Sequence, residues 1–342
     1  MTLPSRSAVD RAGAILRSAP SVTEDYKGAF ETVALWRSCF AVPLQRMNML
    51  VRQRRLQPAI VAQRLKRMSS IIDKLKRYGD MQVTRMQDIG GLRVVFDDLE
   101  QVYAFSNEME NRDSGSFSFI RMKDYVNEPK KSGYRGIHQI FKFNNEDYPE
   151  SNGRLIEMQI RTRLQHLWAT SVESLDIILN SALKTGRENA PHARYMQLAS
   201  ALFALKEGQQ PHKEFVNVPL REIVEEIGKE GAQFDCYLRD NIDDALIAGT
   251  PGKDDAYTLL SRDILNGTPH VTLWPSFKGA ETKAVRRYAS VEADSKDDDD
   301  AFVVLVCAGG TMKELEEAYP NYFLRLHTFK DELSRICAGL VD

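Results

Sequence analysis

Leu155-Ile156-Glu157-Met158-Gln159-Ile160-Arg161 reads as a β-strand with two unlike faces. Alternation sends Glu157, Gln159 and Arg161 to one side and Ile156, Met158 and Ile160 to the other. A solvated sheet surface accounts for that pattern by itself. It does not require what stands just upstream. Lys130-Lys131-Ser132-Gly133-Tyr134-Arg135-Gly136-Ile137-His138 is a basic, glycine-containing loop with an aromatic, ending in a histidine. Cations attract phosphates, an aromatic ring stacks on a base, and a carboxylate on a rigid strand can hold a metal.

Outward from this pair of segments, strands are expected at 91–96, 117–120, 137–143 and 155–161, with a long loop over 122–136. Helices are expected at 99–111 and 163–182. The order gives an α+β unit, a mixed sheet flanked by helices with its site at strand ends and loops. The segment 59–78 reads as a helix, because Val61, Leu65, Met68, Ile72 and Leu75 recur at alternating spacings of four and three. Arg64, Arg67, Ser70, Lys74 and Arg77 line its other face, and Gly79 ends it. Residues 1–42 read as one or two helices, and 44–57 as another that stops before Pro58.

Beyond Lys184 the composition changes. A helical section covers 195–206 and 220–248, and Gly249-Thr-Pro-Gly-Lys-Asp-Asp255 is a linker. A small C-terminal α+β domain is then expected as β-α-β-α-α: strands at 270–274 and 301–307, helices near 283–291, 312–319 and 328–340. The divisions are 1–58 for N-terminal helices, 59–184 for the core, 185–248 for the helical section and 256–342 for the last domain.

Of 342 residues, 43% are hydrophobic, enough for packed cores, yet there is no apolar run of membrane-spanning length. Met1-Thr-Leu-Pro-Ser-Arg-Ser lacks a signal peptide's apolar centre. Cys39, Cys236, Cys307 and Cys337 are widely spaced and fit buried thiols in a reducing cytoplasm, not zinc ligands or disulfides. A net charge of −2 makes the whole molecule no nucleic-acid magnet. Locally, though, Arg52, Arg54, Arg55, Arg64, Lys66, Arg67, Lys74 and Lys76 face only Asp73, a field suited to a polyanion such as ATP or RNA. No Walker loop, zinc spacing or serine–histidine–acid set is visible, and no heptad seam marks an oligomer.

Arg64–Lys74, Met86-Gln-Asp-Ile-Gly-Gly-Leu-Arg93, Asp124-Tyr-Val, Gly133–His138, Glu157-Met-Gln-Ile-Arg-Thr162 and Trp168-Ala-Thr resemble, in order and spacing, the synthetase domain of the RelA/SpoT homologue family. The resemblance runs from about Arg64 to about Glu173 and implies a nucleotidyltransferase-like sheet. It further implies transfer of the β,γ-pyrophosphate of ATP to the ribose 3′-hydroxyl of GTP or GDP, giving (p)ppGpp and AMP. On this likeness Arg64, Lys66, Ser70, Lys74 and Arg77 match ATP-binding positions. Asp88 and Glu157 match Mg²⁺ ligands, and Glu157 also a base for the hydroxyl proton. Lys130, Tyr134, His138, Gln159 and Arg161 match the acceptor side, with Tyr134 stacking on the base. The family often carries Lys-Pro-Asn-Gly-Tyr where this chain has Lys130-Lys131-Ser132-Gly133-Tyr134, which leaves the acceptor open. A toxic branch of the family modifies the 3′ end of tRNA, and Tyr319-Pro-Asn-Tyr322 in the last domain would suit a plug for an adenine pocket. A non-catalytic nucleotide-binding module is the other reading. The first 60 or so residues hold no histidine, so the hydrolase of the family's long members is not expected and a synthetase-only chain is.

Overall fold

A computed structural model of the chain describes residues 3–21, 23–111, 115–179, 190–234, 255–263, 269–275, 301–307, 317 and 326–341. Its centre is a mixed five-stranded sheet: β1 Ile60–Leu65, β2 Gly90–Phe96, β3 Phe117–Asp124, β4 Ile137–Phe143 and β5 Leu155–Thr162. The spatial order is β1-β2-β5-β4-β3, with β2 and β5 parallel and every other neighbour antiparallel.

One face of this sheet is apolar. Leu92, Val94 and Phe96 lie level with Met158, Ile160 and Thr162, and Ile137 and Phe141 continue the layer on β4. Helices α1 Arg6–Ser18, α2 Glu24–Ser38, α3 Ala41–Arg52, α4 Met68–Arg77 and α5 Leu99–Asn111 cover it, burying Leu16, Phe30, Trp36, Met47, Leu75 and Phe105 in one core. The N-terminal helices therefore share a core with the sheet.

The helix expected over 59–78 is two elements. Ile60–Leu65 is a strand paired with β2, and helix begins only at Met68. The apolar spacing suits a helix, but Ile60 and Val61 are β-branched, follow Pro58, and find a whole strand of open hydrogen-bonding groups on β2. Tertiary pairing overrides the local period. Likewise β3 runs four residues past its expected end, to Asp124, because its backbone pairs with β4.

A second core lies beyond the strands. Helices α6 Arg163–Ile178, α7 Ala193–Lys206, α8 Leu220–Ala232 and α9 His327–Val341 bury Trp168, Leu175, Tyr195, Phe203, Ile223, Phe329 and Ile336 together. Three further strands, β6 Asp255–Asp263, β7 Pro269–Pro275 and β8 Ala301–Cys307, form an antiparallel sheet in the order β7-β6-β8. Strand β6 is absent from the sequence reading, which began the strands at His270. The expected break at 185–189, linker residues 249–254, helices near 283–291 and 312–319, and Tyr319 and Tyr322 lie outside the described residues. No helix among the described residues is long and apolar enough to cross a membrane.

Candidate active site

The polar face of β5 carries Glu157, Gln159 and Arg161, and its neighbours complete a closed hydrogen-bonded ring. Gln159 Nε2 donates to Glu157 Oε2 at 2.8 Å, and Arg161 Nη2 donates to Gln159 Oε1 at 2.6 Å. Arg161 also donates to the Tyr134 hydroxyl through Nη2 at 2.8 Å and Nε at 3.2 Å. That hydroxyl meets His138 Nε2 at 2.5 Å, and His138 Nδ1 meets Glu157 Oε1 at 3.0 Å. The register explains the closure, since His138 stands opposite Gln159 on β4.

One proton arrangement satisfies every link. Burial holds the Tyr134 phenol above its usual acidity range despite Arg161, so it keeps its proton and donates to His138 Nε2. Burial lowers the His138 pKa against the pull of Glu157, so the ring is neutral with its proton on Nδ1. Burial would raise Glu157, but donors from His138 and Gln159 outweigh it and the carboxyl sits below its ordinary range. Glu157 is then an ionised acceptor with two donors.

Asp88 stands two residues before β2. Its carboxylate is held by Lys66 Nζ and Lys74 Nζ, each at 2.9 Å. Burial opposes ionisation there, but the two ammonium groups bring the pKa down to about 2. The fold thus supplies Asp88 with two cationic partners. Lys66 is itself lowered by burial, with Asp88 opposing. The buried Arg37 of α2 donates to the Lys66 carbonyl at 3.2 Å and so braces that backbone, a contact the sequence did not signal.

Parallel pairing sets Gly91 beside Glu157, and antiparallel pairing sets Arg64 beside Gly91. A Cβ at Gly91 would meet only the Arg64 carbonyl, at 3.9 Å, so the surface directly over Gly91, between the Arg64 and Glu157 positions, is open among the described residues. Arg64 thus reaches the polar face through a strand, not a helix. Ser70 and Lys74 share one side of α4, whereas Arg77 is exposed in its last turn. Lys130 Nζ lies 4.3 Å from the Tyr125 ring centre and 4.9 Å from that of Tyr134. Tyr125 and Trp168 meet Tyr134 edge-on, and neither was singled out for chemistry beforehand. Arg93, the last residue of the Gly90-Gly91-Leu92-Arg93 run, pairs with Glu173 at 3.6 Å.

Can these groups hold a magnesium ion? Among the described residues no set of three or more His, Cys, Asp or Glu could hold a metal unaided. Magnesium usually takes one or two carboxylates and completes its shell with phosphate and water. Asp88 and Glu157 are both ionised and near enough for Asp88 to raise the Glu157 pKa by repulsion. The donor set therefore fits a cation that arrives with a polyphosphate.

Ionised carboxylates, lysines and a tyrosine loop thus share one face of a mixed sheet. Residues 63–175 match the model of the region found in RelA / SpoT proteins. The chain is 30% identical over 118 residues to the GTP pyrophosphokinase YjbM of Bacillus subtilis, covering 34% of this chain and 55% of that one. It is 28% identical over 128 residues to the GTP pyrophosphokinase YwaC of the same organism, covering 34% and 58%. The chain thus spans little more than half the length of these curated relatives. Among solved structures it is similar to small alarmone synthetase 1 from Bacillus subtilis bound to its product pppGpp. That likeness has a TM-score of 0.40 and 24% identity, and covers 54% of this chain and 89% of the other.

Proposed function

We propose that this chain is an ATP-dependent pyrophosphokinase acting on a guanine nucleotide. The observation that supports it best is the ring Glu157–His138–Tyr134–Arg161–Gln159 on one face with Lys66–Asp88–Lys74 at its edge, all within the RelA/SpoT region. Arg64, Lys66, Ser70 and Lys74 bind the triphosphate of ATP. Lys130 and Tyr134 receive the acceptor base and phosphate, and His138, Gln159 and Arg161 keep Glu157 oriented. Asp88 and Glu157 would hold Mg²⁺, which when bound neutralises phosphate charge.

In the reaction the acceptor's 3′-oxygen forms a bond to the β-phosphorus while the bridge from the α- to the β-phosphorus breaks. AMP leaves with the bridging oxygen. The hydroxyl proton passes to Glu157, ionised and fixed by two donors. Positioning and electrostatics supply most of the acceleration in such transfers. The product from GTP or GDP is (p)ppGpp.

Thin-layer chromatography of β,γ-labelled ATP incubated with Mg²⁺ and GTP, GDP or bulk tRNA tests this. Label moving to a guanosine product, and lost on chelation, is expected. Label on tRNA instead would make the RNA 3′ end the acceptor. No transfer with any of the three would leave a nucleotide-binding module.

A further inference from the structure

The acceptor loop is gripped from outside the RelA/SpoT region. Glu207 caps the C-terminus of α7, and its carboxylate is almost wholly buried. It accepts from Arg135 Nη1 at 2.6 Å, from Gln165 Nε2 at 3.2 Å and from the Thr162 hydroxyl. Two turns earlier on the same helix, the Ser200 hydroxyl donates to the Gly133 carbonyl. Gly133 has a φ of +90°, and a Cβ there would stand 2.9 Å from Ser200 Cβ and 3.1 Å from Trp168, so loop and helix are in direct contact.

The anchor points are telling. Arg135 follows Tyr134, and Thr162 follows Arg161, the two residues whose side chains bond to each other in the ring. One carboxylate therefore holds the side chains of the residues that follow both partners of that bond. Arg135 is 3% exposed, and among the described residues its Nε and Nη2 have no hydrogen-bond partner. Burying such a pair is a poor route to stability, since apolar residues of similar size often do as well or better. What it supplies here is geometry.

We propose that Glu207 is a positioning residue of the acceptor loop: through Arg135 and Thr162 it sets where Tyr134 and Arg161 stand. This rests on the pyrophosphokinase reading for its kinetic test but not for its structural one. Glu207→Gln keeps the shape and removes the charge. We expect it to raise the KM for the guanine nucleotide about tenfold, the effect of one lost charge-assisted hydrogen bond, with the KM for ATP unchanged. In hydrogen exchange, amides of 130–136 should open faster while those of β2 and α4 keep their protection. Equal rises in both KM values, or unchanged exchange in the loop, would overturn the assignment. If wild type transfers nothing, the activity reading falls and the exchange pattern alone judges Glu207. If Glu207→Gln is insoluble, Ser200→Ala removes the second grip without stranding a charge. It should give the same local pattern in smaller degree, and its absence overturns the proposal.

Discussion

At Asp88 two ammonium groups meet one carboxylate, and a pH dependence follows. The folded pKa of about 2 lies below the ordinary 3.8. The group's contribution to stability is therefore present above pH 3.8 and lost as pH falls through about 2. It amounts to about 2 kcal/mol. Acid titration of the melting temperature should show this loss in wild type and a flatter curve in Asp88→Asn, which should also be without transfer. Equal curves would mean the lysines do not hold Asp88. At Tyr134 the hydroxyl is the hinge of the ring. Tyr134→Phe leaves His138 Nε2 and Arg161 without that partner, at roughly 1–3 kcal/mol, measurable by denaturant unfolding. Tyr134→Ala, which also removes the ring between Lys130 and Trp168, should weaken acceptor use far more than ATP binding in steady-state kinetics.

Elements carry the next distinction. Reading 59–78 as one helix put Arg64 and Arg77 on a single basic stripe. The strand β1 puts Arg64 beside Gly91, level with Glu157 on the next strand over, while α4 leaves Arg77 exposed at its end. Arg64→Ala should raise the KM for ATP about tenfold, as loss of a charged phosphate contact does. Arg77→Ala should change it less than about twofold, as expected of a solvated side chain. The opposite order would restore the helical stripe as the ATP site. Strand β5 needed no such revision. Its alternation is strict, and Glu157, Gln159 and Arg161 hydrogen-bond to one another along one face.

For the whole molecule, the path of the C-terminus matters. The expected linker at 249–255 would set everything after it apart as a separate domain. Helix α9 argues otherwise, for Leu326, Phe329, Leu333 and Ile336 lie in the core that holds α7. Phe329 packs 5.8 Å from Phe203 and 6.1 Å from Tyr195, ring centre to ring centre. At roughly 1.5–3 kcal/mol for each large apolar side chain, their loss rivals a domain's net stability of about 5–15 kcal/mol. Truncation near Gly249 should give a chain whose α6–α8 region no longer unfolds cooperatively, with weaker acceptor use and not a gain. A soluble truncated chain with wild-type melting and raised transfer would contradict this.

What the sequence determined by itself is local or patterned. The alternation of 155–161, the helix at 99–111, the strand at 137–143 and the family likeness of Arg64 to Glu173 are all readable because each depends on near neighbours and a fixed period. Tertiary structure alone decided the rest. Only sheet pairing made Ile60–Leu65 a strand. Only its register put Arg64 level with Glu157 across Gly91, and only folding brought Lys66 and Lys74 onto Asp88. Glu207, 72 residues from Arg135, carries no motif. Its role arises because two buried charges must meet, and which charges meet is settled by how the helices pack.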